Sequence, residues 1–185
     1  MLSITFVNGL GKSLVLAGLG ISLLASAGVT SVGAHDTAEV DMTSIREATT
    51  AYQDVSEAET AGYALLADKD GITCIDNADE GTMGIHYANG DLVAAGEVDA
   101  LKPQVLVYEP GDDDELNLVG VEYVVFQDGW DAAHDAPPTL FGEEFMLTSA
   151  ENRYGLPAFY SLHAWAWKTN PSGDLAMWNP DVSCS

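Results

Sequence analysis

The chain has 185 residues, with 29 Asp and Glu against 6 Lys and Arg, a formal net charge of −23 and a pI near 4.1. Hydrophobic residues make up 47%, enough to bury a core, so this is no disordered acidic tail. The charge excludes general binding to nucleic acid, which needs a basic face, and argues against docking on an anionic lipid surface.

No Asp or Glu precedes Asp36, and Lys12 is the only Lys or Arg before it. An apolar run rich in small residues extends from Ser13 to Ala25, and Val32-Gly33-Ala34 offers a small-x-small site before His35. This order predicts a secretory signal peptide over residues 1–34 and a single globular domain over 35–185. No Cys directly follows the apolar run, which argues against a lipoprotein anchor. An uncleaved anchor is the alternative, because residues 13–34 are uncharged and long enough to span a bilayer. The exported part itself is not expected to insert in a membrane.

Removing Lys12 from the 6 basic residues leaves 5 against 29 acidic ones, a net charge of −24 on the exported part. Such a surface repels itself at low salt. At molar salt the Debye length falls to about 3 Å and the repulsion is largely screened. The expectation is a secreted or extracytoplasmic protein adapted to concentrated salt.

Along the chain, residues 35–43 form a polar lead. Ser44 and Glu47 match a capping box. Ile45, Ala48, Tyr52, Val55 and Ala58 keep a helical period, which predicts one helix from about 44 to 66, with Gly62 as a break point. Asp68-Lys69-Asp70-Gly71 stops it with turn residues. Strands are predicted over Met83–Ala88, Gln104–Glu109 and Leu116–Phe126, the last two joined by an acidic loop, Pro110 to Glu115. Phe141–Thr148 and Phe159–Trp167 read as a second antiparallel pair, and the tail from Met177 to Cys184 as irregular. The fold class is α+β: one N-terminal helix packed on a bent antiparallel sheet or small β-barrel. The two cysteines, Cys74 and Cys184, lie in the exported part and predict one disulfide.

Alternation within Leu116–Phe126 leaves both faces apolar, as in an inner strand, yet it puts Glu122 in the middle of one stripe. A buried carboxylate there is expensive unless paired or bound to a metal. His86 and His163 also lie inside predicted strands. If the three strands converge, His86, Glu122 and His163 form a two-His, one-carboxylate set suited to one divalent transition metal with open positions. Tyr87, Tyr123 and Ser161 are the nearest polar side chains in sequence to support it. The other reading is a buried Glu–His hydrogen-bonded pair with a structural role.

Other features are weaker. His35 would be the first residue after cleavage, where its imidazole and α-amino group could chelate copper, or it is simply part of a floppy lead. His134 reads as a loop residue. Asp112-Asp113-Asp114-Glu115 lacks EF-hand spacing and reads as a solvated hairpin tip. Trp130, Trp165, Trp167, Trp178 and Tyr160 either line a cleft or fill a core. No GxSxG, HExxH, P-loop or GxGxxG occurs.

Five sets of residues carry a family resemblance: Ala51–Val55 with Gly62-Tyr63, Met83–Asn89, Pro103–Pro110, Leu118–Tyr123, and Leu162–Trp167 with Asn170-Pro171, Trp178-Asn179-Pro180 and Cys184. In these the chain resembles an uncharacterised family of exported bacterial and archaeal proteins, over about residues 45–184. That family usually has His where this chain has Gln53. His86-Tyr87 and Val119–Tyr123 are also similar to segments of plant oil-body-associated proteins. Neither resemblance implies an activity. The function expected is an exported, salt-adapted domain that binds a divalent metal or small ligand through His86, Glu122 and His163. The alternatives are a mononuclear metal-dependent enzyme using the same residues with Tyr87 or Tyr123, and a structural or surface-interaction domain without a site.

Overall fold

A computed structural model describes residues 42–112 and 115–185. The predicted signal peptide, His35 and Asp113-Asp114 of the acidic hairpin tip lie outside the described residues. Among the described residues no helix is long and apolar enough to cross a membrane.

The N-terminal helical region is present in three pieces instead of one. Helix α1 covers Met42–Thr49, a 3-10 turn Thr50–Gln53, and α2 Val55–Thr60. Local chemistry makes the breaks. The Thr49 and Thr50 hydroxyls donate back to the carbonyls of Ile45 and Arg46 at 2.7 and 2.6 Å, which bends a helix end. Asp54 is extended and caps α2, its carboxylate accepting from the Ser56 amide at 2.9 Å and hydroxyl at 2.7 Å. Ser44 lies inside α1, so the capping-box pattern does not mark its start. Where the sequence predicts helix up to residue 66, Gly62 turns the chain at φ 95° into strand β1, Tyr63–Leu65.

The sheet is antiparallel. It contains β1, β2 (Cys74–Asn77), β3 (Gly81–Asn89), β4 (Val105–Pro110), β5 (Leu116–Phe126), β8 (Met146–Thr148) and β9 (Phe159–Ala164). The order is β1-β3-β4-β5-β9-β8, and β2 pairs with β3 beside β1. It does not close into a barrel. Strand β5 has the predicted ends, β3 extends the predicted one at both ends, β4 is shifted one residue later than Gln104–Glu109, and β9 stops at Ala164 where the sequence predicts strand up to Trp167. The single strand expected over Phe141–Thr148 is interrupted, because Phe141 and Gly142 turn the chain at φ 56° and 83°. This makes a two-residue hairpin, β6 (Thr139–Leu140) with β7 (Glu143–Glu144), ahead of β8. Two short helices complete the fold: α3, Gly90–Ala95, and α4, Gln127–Asp131.

One face of the sheet carries the main core, including Ile45 and Ala58 of the helices with Tyr63, Tyr87, Tyr108 and Tyr123 of the strands. Three of these tyrosines find backbone acceptors: Tyr63 on Pro103, Tyr108 on Tyr52 and Tyr123 on Ala100, at 2.7–2.8 Å. The other face carries two smaller apolar clusters. Val107, Val119, Trp165 and Val182 form one, and Val105, Val124 and Phe159 the other. An irregularity beside Val107 shifts the β4–β5 register, which turns Val119 to this face although Val121, two residues on, belongs to the main core.

The tail is irregular but anchored. Asn179 is fully buried and exchanges two backbone hydrogen bonds with Thr82 at 3.0 Å, and Val182 packs into the first small cluster. Cys184 is bonded to Cys74 of β2, with Cα atoms 5.8 Å apart, as the cysteine count predicts.

Candidate metal centre

Along β5 and β9, polar side chains fall between the two small apolar clusters. Glu122 of β5 stands directly opposite His163 of β9, and Val124 opposite Ser161. His86 of β3 lies two strands from Glu122, across β4, whose residues on this face are Val105 and Val107. All three site residues are buried: His86 is 2% exposed, Glu122 8% and His163 3%. His86 Nε2 lies 3.7 Å from one Glu122 oxygen, and His163 Nδ1 lies 3.8 Å from the other. The two imidazoles meet edge to face, with centroids 5.8 Å apart.

These distances bear on the structural reading of the cluster. At 3.7 and 3.8 Å neither imidazole is hydrogen-bonded to the carboxylate, so the expected structural Glu–His pair is not made. The far nitrogens, His86 Nδ1 and His163 Nε2, are buried without a hydrogen-bond partner. The Gly84 backbone lies beside His86 and favours its protonated ring, but without completing a hydrogen bond to Nδ1. Among the described residues, one ligand atom from each of His86, Glu122 and His163 lies within 4.8 Å of the other two. A tetrahedral centre with bonds of about 2.1 Å spaces its ligands about 3.4 Å apart, so small side-chain rotations suffice to close the set on an ion.

The electrostatics favour an uncharged, unprotonated pair of imidazoles. Burial pushes both His86 and His163 down to about 4. The Glu122 carboxylate pulls His86 back up, and His163 pushes it further down. Burial raises Glu122, against the opposing effects of His86 and a hydrogen bond from Ser161. An ion here would meet two free nitrogen lone pairs without competition from protons near neutral pH.

Ser161 stands opposite Val124, on the same face as Glu122 and His163, and lines the same cavity. Tyr87 and Tyr123 do not. Each follows a site residue directly in its strand, so the pleat points it to the opposite face, into the main core. Tyr87 packs there on Tyr108 and Tyr123 donates to Ala100. Neither can serve as an acid or hydrogen-bond donor at the cluster.

A cavity of about 470 Å³ opens over the three side chains. Its walls are mainly apolar and come from β3 to β5, from α3 and from the β8–β9 connection. Asn89 ends β3 and caps α3, its side-chain Oδ1 accepting from the Asp91 and Leu92 amides, which sets Gly90, Val93 and Ala94 against the cavity. On the other side Asn152 folds the β8–β9 connection, donating to the Ser149 and Leu156 carbonyls and accepting from the Tyr154 and Leu156 amides. This brings Arg153 and Tyr154 to the cavity wall. Arg153 donates two hydrogen bonds, at 3.2 and 3.0 Å, to one oxygen of Asp68, and its carbonyl accepts from the Lys69 amide. The Ile72 amide, with Arg153, holds the Asp68 carboxyl below its usual value. Burial, then the Glu122 charge, pushes the Tyr154 phenol up, so it stays protonated.

Arg153, Tyr154 and the cavity are what the sequence pattern does not single out. The signal available is a lone arginine beside a tyrosine in a turn of a chain with 6 basic residues. The tryptophans lie elsewhere. Trp165 is core, Trp167 donates to Thr49, and Trp130 stacks on His134, none of them lining this cavity. Comparison with family models, with curated proteins and with solved structures finds no match for this chain.

Proposed function

We propose that this domain binds one divalent transition metal through His86, Glu122 and His163 and presents it to a small molecule in the adjoining cavity. The observation that carries the reading is the convergence of two buried imidazoles and a buried carboxylate that are not hydrogen-bonded to one another, with open space against them. A buried ionised carboxylate needs a counter-charge, and neutral imidazoles do not supply one. A metal ion supplies it and uses a nitrogen of each ring. Two nitrogens and one oxygen suit zinc, iron or copper, whereas calcium and magnesium prefer all-oxygen sets.

The disulfide supports an oxidising compartment, and the acidic composition supports concentrated salt. On this reading the domain acts outside the cytoplasm. Elemental analysis of untagged protein, purified without chelator, tests the proposal. One equivalent of a transition metal is expected in the parent, and a lower metal content in both Glu122→Gln and His163→Gln. Equal, substoichiometric metal in all three would remove it.

A further inference from the structure

The cavity over His86, Glu122 and His163 carries information on what it takes. Its wall residues include Val93, Val105, Val124, Phe126, Leu156 and Phe159, which offer no hydrogen bond. The polar side chains at the wall are largely engaged already. Asn152 uses both ends of its amide on the backbone and Arg153 is held by Asp68, so that the Tyr154 and Ser161 hydroxyls are the main side-chain groups left for a ligand there. A sugar or other polyhydroxylated molecule would lose its water here and recover few hydrogen bonds. A volume of about 470 Å³ sits in the range of small-molecule sites.

The floor has the opposite character. Coordinated imidazoles are neutral and the Glu122 carboxylate carries one negative charge, so a divalent ion leaves one unbalanced positive charge under apolar walls. One anionic oxygen group, bound at an open coordination position, neutralises it. Three protein ligands leave such a position. Building on the metal site above, we infer that the cavity binds an apolar monocarboxylate, its carboxylate on the metal and its hydrocarbon part along the valine and phenylalanine walls.

Co²⁺ is a suitable probe, because its visible absorption reports a change of ligand. Metal-stripped protein is loaded with Co²⁺ in molar KCl and titrated with acetate, butyrate, hexanoate and octanoate. Octanoate is expected to change the cobalt spectrum at one equivalent. Affinity should rise along the series by about fourfold per methylene, the increment for burying a CH₂. Glucose should leave the spectrum unchanged. Val124→Thr, which sets a hydroxyl in the wall and leaves the three ligands alone, should weaken octanoate several-fold and acetate hardly at all. If Co²⁺ binds but the carboxylates leave its spectrum unchanged, or affinity does not depend on chain length, the ligand inference is overturned and the metal site stands. If Co²⁺ does not bind, both fall.

Discussion

Glu122 and His163 are direct cross-strand neighbours on β5 and β9, yet the carboxylate and the nearest imidazole nitrogen are 3.8 Å apart and do not bond. The pair is thus poised without being made, and the same holds for Glu122 with His86 at 3.7 Å. This has a consequence for stability. In the metal-free protein Glu122 is a buried acid whose partners are neutral. Glu122→Leu should therefore stabilise that state near neutral pH, by on the order of 1–3 kcal/mol, while abolishing metal binding. Urea denaturation of both proteins after chelation measures it. A loss of stability of similar size would indicate that Glu122 is a structural partner.

Acid should unfold the metal-free protein through the two histidines. Both imidazoles are held at about 4 in the fold against 6.5 when exposed. Between these values the unfolded chain binds a proton at each and the native state does not, so stability falls as pH falls from 6.5 to about 4. Glu122, raised by burial, acts in the opposite direction above 4.5, but it is one group against two. The net loss on acidification should be on the order of a few kcal/mol. Denaturation midpoints across this range, in molar salt to screen general repulsion, report it. In His163→Leu the slope should be about half as steep or less.

Salt should act on the whole surface. Lys102, Arg153 and Lys168 already pair with Asp99, Asp68 and Glu109, so few cations remain for the other carboxylates. Lowering KCl from molar to tenth-molar should lower the melting temperature, as repulsion within the acidic surface is unscreened. A melting temperature flat across that range would remove the salt-adapted reading.

The Cys74–Cys184 bond spans a sequence separation of 110 and ties the tail to the edge of the sheet. Chain entropy alone gives such a loop a stabilisation of about 4–5 kcal/mol. Reduction, or Cys184→Ser, should lower stability by an amount of that order and release the tail from Thr82. Mass spectrometry of an unreduced digest should show one linked peptide pair.

How much of this was legible in the sequence follows from where each signal is local. Glu122 stands out because a charged residue interrupts an apolar strand whose ends the pattern defines correctly. His86 and His163 stand out in the same way. Alternation also decides the supporting residues: Ser161 lies two residues from His163 and shares its face, whereas Tyr87 and Tyr123 are immediate neighbours of site residues and cannot. The three-piece helix depends on Thr49, Thr50 and Asp54 competing for backbone groups, a balance that apolar periodicity does not carry. Strands β1 and β2 are three and four residues long and exist through pairing with β3. The cavity wall joins Asp68 to Arg153 across 85 positions, and no period or motif records a contact of that range.

The most direct measurement of the central claim is a titration of metal-stripped protein with Zn²⁺ and Co²⁺, followed by calorimetry and by cobalt absorption. The account predicts one site per chain in the parent and an affinity that falls as pH drops toward 4, where the buried imidazoles take up protons. Binding should weaken at least tenfold in each of His86→Gln, Glu122→Gln and His163→Gln. Loss in all three together is the signature of one shared ion. Binding that is absent in the parent, or unchanged in the three variants, would contradict a metal centre at these residues.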